Sequence, residues 1–224
     1  FLVDSVRMVL DRYELGIHLL IHPMISVRRN DRHELVDVDE PDGRVEAWTL
    51  IELDRCPSGA REQLEADVRT AIDDVQSVVR DFAPMQKRLL DVAGDDALMR
   101  WLADTNFVFL GSAIYERTPD GLRLDPTSLL GQYRSRLLDP ERIDPPSKDG
   151  DADIVIARSD AVATVHRPAR MTSIAVRSPD AREVRFVGLL GSAGYRQSVF
   201  AIPGIGDRAD EVVARVGAAL ESHM

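Results

Sequence analysis

The chain has 224 residues, of which 44% are hydrophobic and 29% charged, and its formal net charge is −10. This length is enough for one large domain or two small ones with real hydrophobic cores. The acidic balance argues against binding to nucleic acid or to an anionic membrane, because both need an excess of Lys and Arg. The single cysteine, Cys56, allows no internal disulfide, and no apolar stretch is long enough to cross a membrane. These features predict a cytoplasmic protein.

The first 84 residues are predicted to fold in the order helix, strand, strand, helix. Apolar residues follow helical spacing over 1–15, and Gly16 stands where a helix commonly stops in the left-handed conformation. Residues 17–27 and 45–53 are apolar and β-branched, which predicts two strands. A second helix is expected over about 60–82 with Pro84 just past its end, and its predicted buried stripe is Leu64, Val68, Ile72, Val75 and Val79.

The remainder, 85–224, is predicted to be a second α+β domain. It opens with a helix over about 85–104, followed by a strand over 107–115 and a turn at Asp120–Gly121. A short helix is expected over 128–138, a loop over 139–153, and a closing helix over 207–222 with Asp207 as its cap. The remaining predicted strands cover 154–157, 173–177 and 184–190.

Several motifs of enzymes are absent from the sequence. It contains no GxGxxG, no GxxxxGK[ST], no GxSxG, no HExxH and no CxxC. The Gly-rich segment 188–194 lacks the first-pair spacing of a dinucleotide fingerprint, which favours a bent strand end over a phosphate cradle. We therefore predict no catalytic, cofactor-binding or metal-binding residue in this chain.

Six polar residues remain as candidates for an effector site or an interface. His18 and His22 would stand roughly 13 Å apart on one face of a strand, too far for one metal ion and better suited to an interface. His166 and Arg167 could bind a carboxylate or phosphate, or could form a structural turn before Pro168. Asp4 and Ser5 lie at the start of the first helix, where they are either ordinary caps or contacts for a small ligand.

Several stretches resemble the large bacterial NAD-dependent glutamate dehydrogenases. They are Phe1–Val6, Gly16–Pro23, Trp101–Gly111, Thr164–Pro168 and Arg185–Tyr195, and their order and spacing follow that family along nearly the whole chain. The resemblance places the chain in the N-terminal ACT-like part of the family. It implies an α+β fold with ACT-like (ferredoxin-like) antiparallel sheets and helices on one face.

The resemblance also carries expectations about domains and partners. The family's ACT domains run β-α-β-β-α-β, so 1–84 would be such a domain without its first strand, as if the chain began inside it. The second domain, 85–224, is either ACT-like with an insertion near 118–170 or a different α+β fold. NAD and the catalytic residues would belong to a remote part of the same polypeptide. The expected partners are that remote catalytic domain, a second copy paired through sheet edges, and an amino-acid effector.

Overall fold

The computed structural model describes residues 1–135, 138–140, 153–180 and 182–190. Contacts divide the chain into two compact units. The small unit comprises 6–69, and the large unit comprises 1–5 together with the described residues from 70 onward. The predicted boundary near 84 lies inside a helix, α2 (Arg61–Ala93), which continues across the division at 69/70.

Helix α1 (Leu2–Arg12) ends earlier than predicted and by a different residue. Glu14, and not Gly16, takes the left-handed conformation, with φ of 54°. The N–H groups of Leu15 and Glu14 donate to the carbonyls of Leu10 and Asp11, at 3.2 and 3.1 Å. This is a Schellman motif, in which the buried side chains of Leu10 and Leu15 stand at the positions that commonly touch.

The two strands predicted in the small unit are each broken in two. The segment predicted as 17–27 forms β1 (Ile17–Ile21) and β2 (Met24–Arg29), interrupted at His22–Pro23, and the segment 45–53 is interrupted at Trp48–Thr49. Pro23 has no N–H to give to a ladder, which explains the first interruption. An unpredicted strand, β3 (Leu35–Val38), follows β2. The last two strands of the small unit are β4 (Arg44–Ala47) and β5 (Leu50–Leu53).

These strands form two small antiparallel sheets. One contains β1 and β5, and the other has the order β3-β2-β4. Because β1–β5 and β2–β4 are consecutive segments of the same two chain stretches, the two sheets are the halves of one interrupted hairpin. The described small unit therefore has the antiparallel strands between two helices that an α+β fold requires.

Helix α2 does not stop before Pro84, as predicted, but runs on to Ala93. Its buried positions also differ from the predicted stripe, since Val79 is 58% exposed while Met85 and Leu89 are fully buried. An exposed proline removes one helical hydrogen bond, and burial of Met85 and Leu89 past it offsets that loss. The helix is followed by α3 (Ala97–Trp101) and a single π-helical turn (Leu102–Asn106).

The large unit contains a five-stranded antiparallel sheet of order β7-β6-β10-β9-β8. The turn predicted at Asp120–Gly121 is confirmed, and it joins β6 directly to β7. The strands are β6 (Phe107–Thr118), β7 (Gly121–Gly131), β8 (Ile154–Val162), β9 (Arg170–Arg177) and β10 (Arg182–Leu190).

The short helix predicted over 128–138 is wrong, because β7 continues to Gly131. Gly131 and Leu130 pair with Gly111 and Ser112 of β6, and the hydroxyl of Ser128 accepts the N–H of Ile114 across a register shift, at 2.8 Å. This cross-strand pairing outweighs a weak helical pattern. The predicted helix at 207–222, Gly191, Gly194 and most of the loop 139–153 lie outside the described residues.

Two buried clusters hold the large unit together. In the first, the C-terminal part of α2 and α3 pack against alternate residues of the sheet such as Phe109 and Phe186. In the second, Val75 and Val78 of α2 join residues including Val187. Gly188 of β10 permits the close approach of β6, since a Cβ there would overlap the carbonyl oxygen of Val108. This packing holds α2 against the sheet, and α2 carries two of the buried polar groups described below, Asp74 and Asp81.

Candidate functional site

The start of α1 meets the segment between β8 and β9, although the two are 161 residues apart in sequence. The fully buried Ser5 accepts the backbone N–H of His166 at 3.1 Å. Its hydroxyl in turn donates to the carbonyl of Phe1 at 2.7 Å. Ser5 is therefore a bridging residue rather than a simple cap of the helix.

Asp4 and Phe1 approach the His166 ring. The Nδ1 atom of His166 lies 3.7 Å from Oδ2 of Asp4, within ion-pair distance but beyond a hydrogen bond. The rings of Phe1 and His166 meet edge to face with centroids 5.0 Å apart. Among the described residues, Nδ1 of His166 is buried and has no hydrogen-bond partner. The imidazole thus lies between the ring of Phe1 and the carboxylate of Asp4, and its Nδ1 atom makes no hydrogen bond to the described residues.

The backbone at His166 is strained. Its φ is 74°, and the N–H of Arg167 donates back to the carbonyl of Val165 at 3.0 Å. Together these features match a γ-turn of the rare kind with positive φ. A second hydrogen bond of the same span joins the Ala169 N–H to the Arg167 carbonyl, at 2.9 Å. Strain of this type costs of the order of 1–3 kcal/mol and is concentrated at functional positions.

Arg167 contributes to the fold as well as to this region. Its side chain is exposed, yet Nη2 donates to the carbonyl of Leu190 at the end of β10, at 2.6 Å. The guanidinium therefore ties the turn to the sheet. The turn interpretation of this segment is supported, and the anion-binding interpretation stays a prediction.

His18 and His22 each have their own partner within the small unit. Nε2 of His18 lies 2.8 Å from Oδ1 of Asp54, and Nδ1 of His22 lies 2.7 Å from the hydroxyl of Thr49. The contact with His18, followed by the backbone N–H of Gly16, lowers the pKa of Asp54. β1 ends at Ile21, so the two histidines do not share one strand as predicted. Their proposed role at an interface stays a prediction.

A buried polar network was missed from the sequence. Asp74, 2% exposed, accepts the hydroxyl of Thr164 at 2.8 Å, and that hydroxyl oxygen accepts the side-chain amide of Gln132 at 2.7 Å. Oδ1 of Asp74 and Oε1 of Gln132 are buried without a hydrogen-bond partner among the described residues. Burial raises the pKa of Asp74, and the hydrogen bonds only partly oppose this. The signal available in the sequence was an aspartate within the apolar stripe of a helix.

Neither a metal site nor a membrane span is found in the described ranges. No group of three or more His, Cys, Asp or Glu residues in those ranges could hold a metal ion. No helix there is both long and apolar enough to cross a membrane.

The fold and the residues at its N-terminal region define an α+β protein of the ACT-like class. Residues 1–68 match the family described as the ACT1 domain of glutamate dehydrogenase. The predicted fold class is thereby confirmed.

Comparison with characterised proteins extends this similarity over the rest of the chain. The NAD-specific glutamate dehydrogenase of Pseudomonas aeruginosa is 30% identical over 100% of the chain, and that of Halomonas elongata is 30% identical over 91%. The enzyme of the same name from Mycobacterium tuberculosis is 27% identical over 95% of the chain. The chain spans only 16%, 15% and 14% of these three relatives. The resemblance to the large NAD-dependent glutamate dehydrogenases is confirmed.

Proposed function

We propose that this chain is a non-catalytic regulatory and assembly segment of an NAD-dependent glutamate dehydrogenase, which oxidatively deaminates L-glutamate to 2-oxoglutarate. The similarity of the chain to a sixth or less of three NAD-specific glutamate dehydrogenases supports this assignment. The sequence has no dinucleotide fingerprint, so NAD and the chemistry would belong to a remote catalytic domain of the same cytoplasmic polypeptide.

The observation that carries the assembly role is an exposed apolar face on the β1–β5 sheet. Ile21 and Leu50 stand opposite each other in the ladder and are 44% and 61% exposed. Leu19, two residues along the same face, is 42% exposed. Within the described residues β1 pairs only with β5, so both outer edges of this sheet have no strand beside them. Open edges next to exposed apolar side chains favour pairing with another chain, and we assign this face to a second copy.

The assembly role is tested by placing charge on this face. The double variant Ile21→Lys and Leu50→Lys should raise the dissociation constant for self-association about tenfold or more, because two lysines would be desolvated in the interface. Light scattering over a concentration series measures this change. Leu122→Lys on β7, where Leu122 is 39% exposed, is the matched control and should leave association unchanged. A wild-type chain that stays monomeric at the highest concentration contradicts the proposal.

A second candidate function is the sensing of an amino acid at the start of α1. The observation in its favour is that Asp4, Ser5 and His166, singled out separately in the sequence, meet in the structure beside a strained turn. There the carboxylate of Asp4 would accept an α-ammonium group, and the free N–H groups of the first helical turn would receive a carboxylate.

Calorimetric titration with a panel of amino acids tests the sensing role. One amino acid should release or absorb heat with the wild-type chain and much less with Asp4→Asn, which removes charge from an exposed position. Arg7→Gln, an exposed residue on the same helix, is the control. Absence of both heat and a thermal shift with millimolar ligand rules this function out.

A further inference from the structure

A groove in the large unit lies between α2 and the strands β6, β7 and β10. The structure gives it a volume of about 860 Å³. Pro84 and Val92 of α2 line it on one side, and Ile114, Leu130 and Val184 of the sheet line it on the other. Ile114 and Val184 are cross-strand partners, so the sheet side of the groove has an apolar patch, beside the polar Ser178 and Arg182. This surface suits the hydrocarbon part of a ligand.

One cation of the groove has no carboxylate partner among the described residues. Lys87 forms an ion pair with Asp91 at 2.6 Å, and Arg182 is paired with Asp180. Arg88, which is partly buried, instead donates from Nη1 to the hydroxyl of Ser112 at 3.0 Å and to the carbonyl of Ser128 at 2.8 Å. Both acceptors are neutral, and within the described part of the chain Asp125 and Asp81 act on Arg88 only from beyond ion-pair distance.

The two hydrogen bonds hold the guanidinium of Arg88 in place and leave its other N–H groups without an acceptor among the described residues. A guanidinium has five N–H donors, and two of them, both on Nη1, are used by Ser112 and Ser128. Nε and Nη2 have no acceptor within the described ranges, and they present the planar edge that matches a carboxylate. Burial, followed by the nearby charge of Arg134, lowers the pKa of Arg88, and the more distant carboxylates of Asp125 and Asp81 only partly oppose this.

We propose that this groove binds a small organic carboxylate with an apolar body, its carboxylate on Arg88 and its hydrocarbon part on Ile114, Leu130 and Val184. The groove shares no residue with the sheet face assigned to assembly or with the start of α1, so the proposal stands or fails separately from the proposed functions. The guanidinium beside an apolar surface favours a carboxylate over an amine with the same hydrocarbon part, because the ammonium group would be repelled by Arg88.

Two matched probes test the proposal on the 224-residue chain. 3-Methylbutanoate and 3-methylbutylamine have the same hydrocarbon skeleton and opposite charge. Titration with the acid should shift the methyl NMR signals of Ile114, Leu130 and Val184 in a saturable manner, and the amine should not. Shifts that are absent with the acid, or equal with acid and amine, overturn the proposal.

A pair of neighbouring variants separates the role of Arg88 from general charge. Arg88→Met keeps an apolar stem and removes the guanidinium, so binding of 3-methylbutanoate should weaken about tenfold or more, as expected for the loss of a charge-assisted hydrogen bond. Lys87→Met removes one charge at the rim and should change binding by less than about twofold, since Lys87 is already paired. Equal losses in the two variants overturn the assignment to Arg88. If Arg88→Met does not fold, the methyl titration of the wild-type chain still decides the outcome.

Discussion

Two buried aspartates on α2, seven residues apart, have opposite surroundings. Asp81 accepts the N–H of Gly131 at 2.8 Å and lies 3.3 and 3.2 Å from the side chains of Arg80 and Arg134. Asp74 has the hydroxyl of Thr164 on one oxygen and no described partner on the other. The negative charge of Asp81 is therefore balanced by neighbouring cations and that of Asp74 is not, although both residues lie in the same apolar pattern of α2.

Asp74→Asn should make the chain less sensitive to rising pH. Burial raises the pKa of Asp74, so the folded state binds more protons than the unfolded state above the ordinary value of 3.8. The stability that Asp74 contributes to the folded state is therefore complete below pH 3.8 and is lost as the pH rises through the raised pKa. The unfolding free energy of Asp74→Asn, relative to wild type, should therefore increase from acidic to neutral pH.

Urea denaturation at several pH values measures this difference. The charges nearest to Asp74 include its helix neighbour Asp73, which is exposed and serves as the control. Because the charge of Asp73 contributes to the raised pKa of Asp74 and burial contributes more, Asp73→Asn should change the pH dependence in the same direction but less than Asp74→Asn does. A difference for Asp74→Asn that stays constant or shrinks with pH contradicts the expectation.

At the scale of single residues, the sequence indicates which side chains have suitable chemistry for a site better than it predicts which of them touch. Asp4, Ser5 and His166 were selected for their chemistry, but nothing in a local pattern indicates that residue 5 touches residue 166. Asp74 was not selected, because apolar periodicity assigns burial to positions without telling which polar residue at such a position finds a partner. These contacts depend on the tertiary arrangement and could not be read from spacing.

At the scale of elements, the strongly patterned segments were predicted and the stop signals were less reliable. β6, β9, β10 and the turn at Gly121 follow from their composition. Pro84 predicts a helix end, whereas α2 continues past it and buries Met85 and Leu89. A proline costs about 3 kcal/mol in a helix interior, which packing of two large side chains can offset.

The N-cap of α3 gives an element-scale prediction. Oδ1 of Asp96 accepts the N–H of Met99 at 2.9 Å, and the helix it starts holds Leu98 and Met99 in the core. Asp96→Ala should lower the unfolding free energy by about 1 kcal/mol. The neighbouring Asp95 is fully exposed and makes one surface ion pair with Arg100, so Asp95→Ala should lower the unfolding free energy by clearly less than Asp96→Ala does. Chemical denaturation of both variants compares them, and equal losses would contradict the capping role.

At the scale of the whole molecule, the order of familiar sequence blocks was more informative than any single motif. It predicted the similarity to NAD-specific glutamate dehydrogenases over the full chain, which the comparisons confirm. The predicted boundary near 84 and the division of the compact units at 69/70 both fall inside α2. A helix that continues from one compact unit into the next leaves no Pro- or Gly-rich linker for sequence to reveal.

The hydroxyl of Ser5 has a consequence for the kinetics of folding. It accepts the N–H of His166 and so closes a chain segment of 161 residues, an event that is entropically unfavourable until most of the large unit has formed. Ser5→Ala should therefore leave the refolding rate unchanged and speed unfolding about three- to fivefold, as expected for a late-forming hydrogen bond.

Stopped-flow refolding and unfolding separate the two rates, with the exposed Ser58→Ala as a control that should alter neither. A slower refolding rate in Ser5→Ala would place the contact in the folding nucleus instead. On the expected result, the hydrogen bond between residues 5 and 166 lengthens the lifetime of the folded state without affecting how fast that state is reached.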